Sequence, residues 1–154
     1  MMVDAPFGDI LNNPKRSLTV PEFIHHITLH FAIVLPMVLA VTGLYALRTD
    51  TDALIPLLRW GGHFTLAIAF VTAATGILAG GLTGGEEHLQ HHRYLGILTT
   101  ITIAIAALAF EIGIRRDEHR IRAFGLSIWW VASFATVGAS HWGILAEHAD
   151  VVPF

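Results

Sequence analysis

The chain contains no cysteine among its 154 residues. That excludes disulfides, thiolate zinc sites, iron–sulfur clusters and covalently attached c-type haem. Charge is scarce too: Asp, Glu, Lys and Arg make up 14% of the chain, nine basic against twelve acidic, for a formal net charge of −3. No basic groove is evident, so no nucleic-acid partner is expected. The serines (Ser17, Ser127, Ser133, Ser140) have no base at a set spacing. Ser140 precedes His141, but adjacent helical residues point about 100° apart, which is poor geometry for a Ser–His pair. The glycines at 80, 81, 84 and 85 are not followed by Lys and Ser or Thr, so there is no phosphate loop.

What remains is apolar. Hydrophobic residues make up 54% of the chain, and mean hydropathy is strongly positive, outside the range of soluble domains of this length. Residues 23–47, 60–85, 94–110 and 123–146 lack charge entirely. About 20 helical residues cross a bilayer core, and runs this apolar do not alternate as barrel strands do. The expected fold is therefore an all-α integral membrane protein, a four-helix up-and-down transmembrane bundle. Its helices are expected at about 20–48, 53–80, 86–115 and 121–147, in one domain over residues 19–150 after an N-terminal surface segment, residues 1–18. Thr19-Val-Pro-Glu22 reads as a capping box with Pro in the first turn, and Asp52 as a cap for the second helix. Pro36 predicts a kink. No internal repeat is visible. Arg48, Arg59, Arg115, Arg116, Arg120 and Arg122 lie on one face. By the positive-inside rule that face is cytoplasmic, which places both termini outside a bacterial inner membrane.

Seven of the ten histidines gather at the opposite end: His25, His26 and His30, then His88, His91 and His92, then His141, with His148 just beyond. Imidazole at membrane depth implies a partner, and it is the commonest ligand for transition metals and haem iron. Counting about 1.5 Å per residue from the flanking carboxylates, His30, His92 and His141 lie at similar depths of roughly 12, 7 and 9 Å. A shallower tier holds His25, His26, His88 and His148. Gly76, Gly80, Gly96, Gly138 and Gly143 lie in the same half and would let backbones approach a flat macrocycle, although small residues also serve ordinary helix packing. Arg93 is placed to neutralise a haem propionate or to reach headgroups. Trp129, Trp130, Trp142 and Tyr94 read as interfacial aromatics.

His25-His-Ile-Thr-Leu-His30-Phe resembles the HPxxxHFP opening of an uncharacterised bacterial four-helix membrane-domain family, described as predicted membrane proteins of unknown function. Gly138-Ala-Ser-His141-Trp-Gly-Ile-Leu-Ala-Glu-His148 resembles that group's GxxHxGGxLxHG ending, and His92-Arg93 after a glycine-rich stretch also fits. The chain departs from the pattern at His26 and Ala32, which replace prolines, and at Ile144 and Ala149, which replace glycines. Similar modules precede cytochrome c domains in planctomycete-type proteins, so the resemblance implies work in electron transfer, with His25, His30, His92, His141 and His148 as the positions carried over. The leading expectation is a b-type haem electron-transfer protein or subunit. His30 and His92 would hold iron from diagonal helices, with Arg93, Gly96 and Gly138 around the macrocycle. His141, with His25 or His148, would serve a second haem or support the first. The alternatives are copper or zinc on the same histidines, and a structural subunit of a larger respiratory or photosynthetic complex. Expected partners are membrane lipid and a periplasmic cytochrome c or larger redox complex.

Overall fold

The computed structural model describes residues 19–49, 51–80 and 87–147, with side chains through residue 144. These residues form four long helices: α1 (Val20–Thr49), α2 (Ile55–Gly80), α3 (Glu87–Arg115) and α4 (His119–Glu147). All four are long and apolar enough to cross a membrane. α1 packs on α2, α2 on α3, α3 on α4 and α4 back on α1. The result is a closed ring in which α1 lies diagonal to α3 and α2 to α4.

The local chemistry starts and stops these helices. Thr19 Oγ1 accepts from the Glu22 amide at 3.4 Å while the Glu22 carboxylate accepts from the Thr19 amide at 2.7 Å, which is the expected capping box. Pro36 sits inside α1 without interrupting it, its ring fully buried. Asp52 does not cap α2. It opens a short 3₁₀ turn (Asp52–Leu54) leading into the helix, and its carboxylate lies 3.7 Å from Arg122. The α3–α4 hairpin turns at Asp117, which adopts φ 52°, a left-handed conformation that Asp tolerates better than most residues.

The core is layered from small and medium residues: Leu39 and Ala40, Leu58 and Ala69, Ile103, Ala106, Ala107 and Phe110, then Leu126, Trp129 and Ala132. Trp129, expected at an interface, is 1% exposed and fills the centre. It faces inward because it continues the buried stripe of Gly125, Leu126 and Ala132. The exterior is apolar instead, with Phe23, Val41, Phe64, Phe70, Leu78, Leu108 and Phe134 all largely exposed. A continuous apolar surface of this kind suits lipid and is rare on a soluble monomer.

The bundle has an internal repeat, contrary to the sequence reading. Advancing 67 residues carries the buried positions of α1 (Ala32, Pro36, Leu39, Ala40, Gly43) onto buried positions of α3 (Thr99, Ile103, Ala106, Ala107, Phe110). The same step carries Leu58, Gly62, Thr65, Ala69 and Thr72 of α2 onto buried Gly125, Trp129, Ala132, Thr136 and Ala139 of α4, while Thr75 lands on half-buried Trp142. Helix starts agree as well, Val20 with Glu87. Since α1 and α3 run parallel, the hairpins α1–α2 and α3–α4 are related by an approximate two-fold axis along the bundle. Few identities survive the step, which hides the repeat, but His25 and His92 are among them. So are Arg48 and Arg115, and the string Gly-Ile-Leu-Ala at 76–79 and 143–146.

Candidate functional site

Two imidazoles cross the bundle interior at the end opposite the arginines. Nδ1 of His25 on α1 donates to the Thr72 carbonyl of α2 at 2.8 Å. Nδ1 of His92 on α3 donates to the Ala139 carbonyl of α4, also at 2.8 Å. Thr72 and Ala139 are themselves repeat equivalents, so the two anchors are one arrangement used twice. A carbonyl can only accept, so each Nδ1 carries a proton, and in the neutral ring Nε2 keeps its lone pair. This is the tautomer a ligating histidine uses, with its other nitrogen fixed by a backbone oxygen. The ring centres stand 6.1 Å apart with planes perpendicular.

A glycine backs each ring. A methyl group at Gly76 would stand 2.8 Å from Cε1 of His25, and one at Gly143 would stand 2.9 Å from Nδ1 of His92. Both are closer than carbon atoms tolerate, so only glycine leaves room for the rings where they are. Gly76 and Gly143 are again repeat equivalents.

Below the pair on α3, Gly96 faces open space, with nothing within 4 Å of where its Cβ would be. Two turns below His92, Thr99 is 6% exposed and its Oγ1 has no partner. The other buried hydroxyls (Thr65, Thr72, Thr75, Ser133 and Thr136) all donate to the carbonyl four residues back. Thr99 alone among them keeps its hydrogen-bonding capacity for the interior.

The remaining histidines lie elsewhere. His30, expected to face His92, is exposed, and its Nδ1 returns to the His26 carbonyl on its own helix. His91 does the same to Glu87 and stacks on Trp142 at 4.7 Å, beside His88 at 5.5 Å. His26 and His141 are exposed. Equal depth did not bring His30, His92 and His141 together, because depth ignores rotation. His30 is five residues past inward-facing His25, about 140° around the helix, and His141 is two past buried Ala139, about 200° around. Among the described residues no three His, Asp or Glu side chains are grouped to hold a metal ion. Arg93 bonds the Gly80 carbonyl and so caps α2. Gly138 makes only ordinary contact with Leu95. His148 lies outside the described residues. The pairing of His25 with His92 was missed, although the 67-residue step between them was visible as the repeated Gly-Ile-Leu-Ala string.

A second polar cluster occupies the arginine end. Glu111 on α3, 8% exposed, accepts from Arg59 Nε and NH2 of α2 at 2.8 and 2.7 Å, and from Arg115 Nε at 2.7 Å. His63 Nε2 stands 3.8 Å from the same carboxylate. The repeat equivalents of Arg59, His63 and Glu111 are Leu126, Trp130 and Leu44, so this cluster exists on one seam only. No protein-family model matches the chain, nor does any curated protein or solved structure.

Proposed function

We propose that the protein is a multi-pass protein of a bacterial inner membrane that holds a b-type haem between His25 and His92, near the outer face, and passes single electrons there. The observation that carries this reading is the symmetric pair of anchored imidazoles on the pseudo-two-fold axis. Any centre both of them bind lies on that axis, equivalent to each. The two rings, 6.1 Å apart, are close enough that both would hold one iron through Nε2. Gly96 and Thr99, one and two turns further along α3 from His92, add open space and a hydroxyl with no partner. His25 thus takes the role expected of His30.

A haem held by His25 and His92 would supply the one-electron chemistry. The chain's own part is to fix both tautomers through Thr72 and Ala139, to hold the rings through Gly76 and Gly143, and to exclude water with the surrounding apolar helices. The resemblance to modules that precede cytochrome c domains points the same way, toward a periplasmic cytochrome c or a larger redox complex as partner. The test is an absorption spectrum of the purified protein, oxidised and then dithionite-reduced. A Soret and a reducible α band are expected, lost in His25→Ala and in His92→Ala and kept in His30→Ala and His141→Ala. A folded, colourless preparation from haem-replete cells overturns the haem. Stoichiometric copper or zinc in that preparation would assign the same two imidazoles to a bare metal.

A further inference from the structure

The repeat exposes what the second cluster is for. On the α4–α1 seam the equivalents Leu44, Leu126 and Trp130 are apolar or aromatic, and the packing is tight: a methyl group at Gly43 would stand 2.7 Å from Leu126. The α2–α3 seam instead carries Arg59, His63 and Glu111 beside Arg115, whose equivalent is Arg48, and its α3 side holds an open, apolar groove of about 220 Å³. Phe70 lines it from α2, and Thr100, Ile101, Ala104, Ile105 and Leu108 from α3. Groove and cluster share one face of each helix. Ala104, Leu108, Glu111 and Arg115 follow one another at helical spacing on α3, as Arg59, His63 and Phe70 do on α2.

The charges do not cancel. Glu111 engages two nitrogens of Arg59 but only Nε of Arg115, which leaves one terminal nitrogen of Arg59 and both of Arg115 as donors. These side chains are 41% and 72% exposed. At about 1.5 Å per residue, Phe70 lies roughly 16 Å from the level of Arg59, and Ile101 roughly 21 Å from that of Arg115. One leaflet of the hydrocarbon core is about 15 Å deep. We infer that the α2–α3 seam is a binding site for an anionic phospholipid, whose phosphodiester takes the free donors of Arg59 and Arg115 and whose acyl chain lies in the groove from Leu108 toward Phe70. Basic pockets between membrane helices bind anionic headgroups in this way. The inference rests on the helices crossing a membrane and not on the redox centre.

Native mass spectrometry in detergent, with phosphatidylglycerol or phosphatidylcholine added, tests it. One net positive charge corresponds to about a fivefold preference for the anionic lipid, with one lipid retained per chain. Ala104→Phe, which fills the groove and leaves the charges alone, removes retention of both lipids. Arg115→Leu leaves Glu111 paired with Arg59 and the cluster neutral, and abolishes the preference while keeping weak retention. Glycerol 3-phosphate alone does not bind. Equal retention of the two lipids by the unaltered protein, or a preference that survives both variants, overturns the site. Recovery of the protein in the soluble fraction without detergent overturns the membrane reading along with it.

Discussion

At His25 and His92 the same surroundings occur twice: a carbonyl of the next helix at Nδ1, a glycine against the ring, and the other imidazole across the axis. The glycines are the most sensitive positions after the histidines. Gly76→Val and Gly143→Val each place carbon inside the contact distance of a ring and push it off its carbonyl. Both variants are expected to insert and fold yet to lose most of the bound haem, read as the ratio of Soret to protein absorbance. Gly138→Ala, where the nearest atom is 3.8 Å away, is expected to keep it. Thr99 gives a prediction of opposite sign. In cofactor-free protein its buried hydroxyl is unsatisfied, so the near-isosteric Thr99→Val should stabilise the fold by about 1 kcal/mol, seen as a higher unfolding midpoint. In the holoprotein the gain should shrink or reverse, as the hydroxyl finds its partner.

Among the elements, α2 and α3 share a charged seam. Glu111 has two arginines on it, and removing it alone, by Glu111→Leu, leaves two cations facing an apolar groove. The expected loss is roughly 1–3 kcal/mol, below that of a fully enclosed pair because Arg59 and Arg115 are partly exposed. Arg59→Leu with Glu111→Leu should recover most of that loss, since the α4–α1 seam already packs with leucine at both positions. Thermal unfolding in one detergent compares the three proteins. A double variant less stable than the single one would show that the pair contributes more than its replacement by packing. The elements themselves were legible from the sequence. The boundaries followed from the Thr19–Glu22 box, the glycines after α2 and the charged α3–α4 turn, all local signals that act within a few residues. The cap assigned to Asp52 failed because a 3₁₀ turn intervenes, and a single residue's type does not fix how the chain enters a helix.

The four described helices form two hairpins about a common axis, and the expected topology follows from that. The absence of native cysteine makes orientation directly measurable with single introduced thiols. Thr51→Cys and Glu118→Cys, which the 67-residue step superimposes, should react from the cytoplasmic side only. Val20→Cys and Glu87→Cys, also equivalent, should react from the periplasmic side. A membrane-impermeant maleimide applied to intact cells and to inverted vesicles reads this, and one member of a pair labelling from the opposite side would refute the parallel arrangement of the hairpins. The arginine face fixes the expected sense.

Hydropathy and charge by themselves determined the four long helices, close to their ends, and the end of the bundle where the histidines gather, because each depends on composition over a single run of chain. Which histidines meet was decided only in the folded bundle. Meeting depends on rotation about the helix axis as well as depth, and rotation is set by the stripe each helix buries against its neighbours. The duplication lay in the sequence too, but outer positions facing an apolar surround accept almost any apolar side chain. The two hairpins therefore differ in residue type while sharing the same buried stripe.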